Sequence, residues 1–244
     1  MRFDVLTLFP EMLSAYLTRG VLGRAIKGGL VGVSLINIRD FAGGPHRVTD
    51  DRPYGGGEGM VMKPEPIHRA LESVDRVEGK SSAILLSPRG KPFDQAMAWE
   101  LSEWDQLILV CGRYEGVDER VRSTCIDMEL SIGDYILTGG ELGAMVVIDA
   151  VSRLIPGVLG GERSSLQDSF EGGLLEYPQY TRPRVFQNKE VPEVLLSGNH
   201  EKIRAWRRGE ALKTTLKMRP DLLKKVELTP EDKAFLSELL RGEA

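Results

Sequence analysis

The stretch Leu107-Ile108-Leu109-Val110-Cys111-Gly112-Arg113-Tyr114-Glu115-Gly116 decides the fold. Its first five residues are apolar without alternation, and the run stops at a glycine. A short continuous apolar run bounded by turn residues is the mark of a strand buried on both faces. The flanking segments repeat the scheme. Upstream, residues 83–86 form a short apolar strand that ends in the turn Ser87-Pro88-Arg89-Gly90, and a helix follows through Trp99 and Leu101. Downstream, residues 117–123 make one or two helical turns, and residues 126–132 make a further strand ending in Gly133-Asp134-Tyr135. Residues 139–155 then read as a helix of small and β-branched residues. Strands alternating with helices predict an α/β fold: βαβ units, a mainly parallel sheet, and helices on both faces.

Working outward, residues 3–9 read as another strand stopped by Pro10. Proline followed by Glu11 suits the first turn of a helix. Residues 30–38 alternate well enough for a strand, and a helical pattern runs from Pro64 to about Val74. Between them, residues 40–59 are crowded with Gly, Pro, His, Arg and Asp, a stretch too long and polar for a simple connection. After Gly157 the pattern dissolves into Gly, Ser, Gln and acids as far as Glu176. Beyond that, Asn199 is placed to cap a helix through Met218, and Thr229-Pro230-Glu231-Asp232 resembles the start of a last helix. The expected organisation is a large α/β domain over 1–160, a flexible linker over 161–175, and a small helical domain over 176–244.

Composition narrows the function class. Of 244 residues, 41% are hydrophobic and 28% charged, which is ordinary for a globular chain. No apolar run reaches membrane-spanning length, and the acid in Met1-Arg2-Phe3-Asp4 argues against an export signal, so a cytoplasmic protein is expected. Cys111 and Cys125 are isolated and read as reduced thiols, and His46, His68 and His200 lack zinc-site spacing. The net charge of −4 argues weakly against nucleic acid, but the distribution does not. Residues 181–225 hold twelve Lys/Arg against five Asp/Glu, leaving 20 against 31 for the remainder. Such asymmetry fits either a solvated helical surface or a polyanion-binding one.

Three glycine-bearing loops follow three successive strands, at 87–90, 111–116 and 132–140. In open parallel sheets, ligands bind beyond the carboxyl ends of the strands, so the three loops can line one pocket. Each loop taken alone also reads as plain turn chemistry. Neither G-x-G-x-x-G nor G-x-x-x-x-G-K-[ST] occurs, which sets aside the usual dinucleotide and P-loop sites. With few cations to neutralise a polyphosphate, the loops suit an adenosine-containing ligand without phosphates. Glu115 could face a cationic centre on it.

At this point a resemblance becomes visible. Val110-Cys111-Gly112-Arg113-Tyr114-Glu115-Gly116-Val117-Asp118-Glu119-Arg120, followed by Ser131-Ile132-Gly133-Asp134-Tyr135-Ile136-Leu137-Thr138-Gly139-Gly140-Glu141, resembles the bacterial tRNA (guanine-N1) methyltransferases. Leu8-Phe9-Pro10, the loop from Pro53 to Met60, the segment from Arg153 to Gly160, Asp168-Ser169-Phe170 and Gly198-Asn199-His200 extend the match over nearly the whole chain. That family belongs to the trefoil-knot (SPOUT) methyltransferases and acts at tRNA position 37. The resemblance implies a deep trefoil knot in the α/β domain, S-adenosylmethionine bound in the knot, and a homodimer whose active sites take residues from both subunits. It assigns Ser87, Pro88, Gly112, Glu115, Ile132, Gly133, Asp134, Tyr135, Ile136, Leu137, Gly139 and Gly140 to the cofactor. Glycines 112, 133, 139 and 140 would be explained by crowding where loops cross.

The implied chemistry needs a base. N1 of guanine carries a proton at neutral pH, and negative charge accumulates at O6 as that proton leaves. The resemblance gives the base role to Asp168 and the O6 partner to Arg153. Glu115 is a candidate for the methionine part of the donor or for a magnesium ion. Residues 55–59 are expected to meet the target guanine, and the basic helix with Lys202, Arg204, Arg207 and Arg208 to meet anticodon-stem phosphates. Trp206 reads more simply as a core residue than as a stacking platform. Residues 160–169 are expected to be mobile until tRNA docks. Two other readings share these features: a knotted methyltransferase for another base or for ribose, and a non-catalytic RNA-binding module.

Overall fold

In the computed structural model, which describes residues 1–160 and 168–241, the chain opens directly into the sheet with β1 (Arg2–Thr7). Helices α1 (Pro10–Leu17) and α2 (Gly20–Lys27) follow, then β2 (Gly32–Asn37) and a 3₁₀ turn at Ile38–Phe41. The long polar stretch contains a small antiparallel pair, β3 (Asp50–Asp51) with β4 (Val61–Met62). Next come α3 (Pro64–Glu72), β5 (Ser81–Pro92), α4 (Gln95–Ser102), β6 (Gln106–Cys111), α5 (Glu119–Cys125), β7 (Met128–Ser131) and α6 (Glu141–Ser152). The main sheet runs in the order β2-β1-β6-β5-β7, and every pairing in it is parallel.

Side-chain alternation along the strands sorts the core into two layers. Phe3, Val5, Ile84, Leu86, Leu107, Leu109 and Cys111 pack with Leu13, Leu22, Leu101 and Val147 of α1, α2, α4 and α6. Leu6, Ala83, Leu85, Ile108 and Val110 pack on the opposite face with Ile67 of α3, Val121 of α5 and Ile38 of the 3₁₀ turn. Both faces are therefore covered, which is why residues 107–111 lack polar alternation. All five are fully buried, and each large aliphatic side chain among them contributes roughly 1.5–3 kcal/mol through burial.

Three details differ from the sequence expectation. Residues 87–90 are not a turn that ends a strand. β5 continues to Pro92, with a register break between Leu86 and Lys91 against β7. Gly90 makes this passage possible: a Cβ there would lie 2.4 Å from the backbone N of Leu130. Helix α2 was hidden by its two glycines, yet it buries Leu22 and Ala25. The β3–β4 pair gives the polar stretch an anchored base.

The chain divides into two compact units, Met1–Glu162 and Arg163–Ala244. Of the expected linker at 161–175, and of the segment 160–169 expected to be mobile, residues 161–167 lie outside the described residues. The second unit contains the hairpin β8 (Val185–Phe186) and β9 (Lys189–Glu190), then α7 (Glu193–Leu196), α8 (His200–Met218) and α9 (Pro230–Arg241). Asn199 caps α8 by accepting from the amides of Glu201 and Lys202. At the start of α9, Thr229 and Asp232 satisfy each other's amides, the reciprocal arrangement of a capping box. Leu174, Ala211, Leu212 and Leu236 form the core of this unit. Trp206 is half-buried, with its ring 6.2 Å from that of Tyr180.

Candidate active site at the strand ends

Residues 85–89 in the middle of β5, together with the carboxyl ends of β6 and β7, line a cleft of about 440 Å³. Eleven of the twelve residues assigned to the cofactor line it: Ser87, Pro88, Gly112, Glu115, Ile132, Gly133, Tyr135, Ile136, Leu137, Gly139 and Gly140. Asp134 lies in the same loop but is exposed and does not line the cleft.

Backbone contacts hold the loops together. The Gly140 amide donates to the carbonyl of Gly112 at 2.9 Å, and Arg113 bridges to Gly139 in antiparallel fashion. A Cβ on Gly140 would lie 2.8 Å from Cys111 Cα, so the two segments cross at a separation that only glycine permits. Gly112 differs. A Cβ there would meet Val117 Cγ1 at 3.7 Å, an ordinary contact, so crowding does not explain this glycine. On the outer side, the amides of Glu115 and Met62 donate to the carbonyls of Met60 and Gly116. Through these bonds the glycine-rich loop at 53–59 abuts the loop at 111–116. The Glu115 carboxylate fills the space where a Gly59 Cβ would stand, with Oε1 at 2.4 Å from that position. Tyr54, at the tip, is fully exposed.

The cleft is cationic only in composition. Arg89 pairs with Glu119, Arg113 with Glu141, and Arg122 with Glu119 and Glu129. The Arg122 guanidinium holds the Glu119 carboxyl below its usual range, and Arg120 does the same for Asp118. Cations already committed to carboxylates have little left for a polyphosphate, whereas a lining of glycine backbone and apolar side chains suits an adenosine. Cys111 sits at the crossing, but burial, and then the Glu141 charge, push its thiol well above the usual value, so it is no nucleophile at neutral pH. Among the described residues no group of three or more His, Cys, Asp or Glu is placed to hold a metal ion.

A second, more open cleft of about 700 Å³ adjoins the first. Ile132, Tyr135 and Leu137 line both, so the loop after β7 forms their common wall. Arg153, exposed at the C-cap of α6, lines this second cleft together with Tyr16, Asp149, Leu142 and Val146. Burial and a hydrogen bond to Asp149 hold the Tyr16 phenol above its usual value. Asp168 belongs to the second unit, where it is half-buried beside Ser169, whose hydroxyl accepts from the Glu176 amide. Residues that the sequence reading left unassigned also line the first cleft, among them Arg89, Arg113, Arg122, Thr138 and Gly143. Of these, Gly143 carried a legible signal, a glycine inside a helical pattern. It lets α6 pass within 3.2 Å of Leu86, measured from the position of a Cβ.

Comparison with known proteins gives the family. Residues 1–225 match the family model described as tRNA (Guanine-1)-methyltransferase TrmD. A tRNA (guanine-N(1)-)-methyltransferase of Moorella thermoacetica is 57% identical over 247 residues, spanning 100% of this chain and 98% of that protein. The protein of the same description from Caldanaerobacter subterraneus is 58% identical over 238 residues, and that from Geobacter sulfurreducens 56% over 241, each covering at least 98% of both chains.

Proposed function

The chain belongs to the tRNA (guanine-1)-methyltransferase family, and we propose that it transfers a methyl group from S-adenosylmethionine to N1 of the guanosine at position 37 of tRNA. The observation that carries this reading is the pair of adjoining clefts: a phosphate-averse one at the strand ends, and an open one with Arg153 behind a shared wall. The first fits the donor, whose sulfonium supplies an electrophilic methyl when bound. The second fits the acceptor base.

In this reading Arg153 donates to guanine O6 and stabilises the charge that develops there. Asp168 accepts the N1 proton, so that the ring nitrogen attacks with a free lone pair. Glu115 faces the methionine part of the donor, or is the residue that would hold a magnesium ion, whose chemistry would be to supply positive charge there. Asp134 remains in the loop as a neighbour of cofactor-lining residues. Much of the acceleration comes from positioning donor and base across the shared wall.

The knot implied by the family resemblance is part of the proposal. Support comes from the two tight crossings, Gly90 against Leu130 and Gly140 against Cys111, where β5 meets β7 and the α6 entry meets β6 at backbone contact. The homodimer is proposed as well. Met12, Tyr16, Leu142 and Val146 are large apolar residues left more than 40% exposed on α1 and α6, and three of them line the Arg153 cleft. A second copy seated there would let residues of both subunits form one active site. The two remaining parts of the reading are a cytoplasmic location and a helical tRNA-binding domain over 176–244.

Isotope transfer from labelled S-adenosylmethionine tests this. Transfer is expected to tRNA bearing guanine at position 37 and to be lost when that base is replaced. Asp168→Asn should reduce single-turnover transfer by about 100-fold or more. Continued transfer to the replaced tRNA would remove the site assignment, and near-normal transfer by the variant would remove the base.

A further inference from the structure

Glu141 opens α6 with its side chain turned inward and only 1% exposed, a position where a carboxylate is costly unless it is paired. Its partners come from separate segments. Thr7, at the end of β1, donates its hydroxyl to Oε1 at 2.7 Å. Arg113, in the loop after β6, donates Nε to Oε1 at 3.3 Å. It also places Nη2 3.1 Å from Oε2, an ion pair that is not aligned as a hydrogen bond.

Arg113 carries the connection onward. Its Nη1 donates to the carbonyl of Thr138 at 3.4 Å, and its guanidinium lies over the Phe9 ring, 4.5 Å from the ring centre. The surroundings are tight: a Cβ on Gly139 would stand 2.3 Å from Arg113 Nε and 2.5 Å from Glu141 Oε2. Arg113, Thr138 and Gly139 line the cofactor cleft, whereas Glu141 does not. A carboxylate buried behind the wall thus ties loop 112–116 to loop 132–140 through one guanidinium.

We infer that Glu141 is a positioning residue for the methyl donor: by fixing Arg113 between the two cofactor loops, it sets their separation and the shape of the cleft before the donor arrives. The inference rests on the reading of this cleft as the S-adenosylmethionine site. A buried ion pair can often be replaced by neutral groups of similar volume without loss of stability. The fold alone therefore does not require this charge here. A preformed cleft does gain from it, because binding then spends less on ordering loops.

The test uses the full-length chain, S-adenosylhomocysteine as the probe, calorimetry for its affinity and thermal unfolding for stability. Three variants are compared: Glu141→Gln, Arg113→Met, and both together. Each single variant leaves one charge without its partner and should lower Tm. The double variant removes both charges and should recover most of that loss. Probe affinity should not recover, staying about tenfold or more below wild type in all three. The KM for S-adenosylmethionine should rise while the KM for tRNA stays put. A purely structural role would make affinity follow Tm. Wild-type affinity in the double variant, or in Glu141→Gln, would overturn the inference. Failure of the unaltered chain to bind the probe would overturn the reading of the cleft, and the inference with it.

Discussion

Replacing Gly140 by alanine adds one methyl group at the crossing of two backbone segments. That methyl would stand 2.8 Å from Cys111 Cα, 3.2 Å from Cys111 Cβ and 3.2 Å from the Gly112 amide nitrogen. None of these atoms is the free end of a flexible side chain, so the segments themselves must part. Overpacking of this kind costs about 1–3 kcal/mol. Parting also stretches the bond from the Gly140 amide to the Gly112 carbonyl, now 2.9 Å, which is worth about 1 kcal/mol. The sum is about 3 kcal/mol, and for a chain of this size each kcal/mol lowers Tm by roughly 2–4 °C, so a drop of about 6–12 °C is expected. Gly112→Ala is the matched control. It lies in the same crossing, but its added methyl meets Val117 Cγ1 at 3.7 Å and the Leu86 carbonyl oxygen at 4.0 Å, both ordinary contacts, so Tm should move by less than about 2 °C. Thermal unfolding of both variants reads the contrast directly. Equal shifts, or an unchanged Tm in Gly140→Ala, would refute the reasoning about the crossing.

Other expectations follow from the same structure. Asp232 is buried and doubly bonded to Arg208, which holds its carboxyl below the usual range. A depressed folded-state value stabilises the chain above the unfolded pKa of about 4, and that stability is lost as pH falls through the lowered value. Asp232→Asn should therefore cost about 2 kcal/mol at neutral pH and flatten the acid limb of a stability-versus-pH curve; an unchanged limb would contradict this. Gly59→Ala meets two obstacles, a φ of +84° and the Glu115 carboxylate in the place of its methyl. It should weaken S-adenosylhomocysteine binding, measured by calorimetry, by a few-fold or about 1 kcal/mol, and wild-type affinity would show that Glu115 moves aside freely. Val146→Asp places a charge on the exposed apolar face of α6. It should convert a dimer to monomer in sedimentation runs, and an unaltered sedimentation coefficient would move the proposed interface elsewhere.

Much of the sheet was legible because burial on both faces leaves a plain trace. Residues 107–111 must be apolar throughout when α4 and α6 cover one side and α3 and α5 the other. Asn199 was legible for a local reason, since a cap acts on amides two and three residues away. Features built from distant segments were not legible. Thr7 and Glu141 are 134 residues apart, and Arg113 and Glu141 are 28 apart. Nothing in local composition announces that their side chains converge. The glycines show the same limit. Gly112 and Gly140 look equivalent in sequence, and only the crossing distinguishes one with room from one without. The Arg153 cleft is likewise a product of packing, made where α1, α6 and the loop after β7 meet.

If the cleft formed by residues 85–89 and the ends of β6 and β7 holds the methyl donor beside Arg153, a crystal structure of the chain with S-adenosylhomocysteine will show it there. The adenosine is expected to be enclosed by residues 87–88, 112–116 and 132–140, with the sulfur directed across the shared wall toward Arg153. An adenosine bound elsewhere on the chain, or a sulfur directed away from the second cleft, would contradict it.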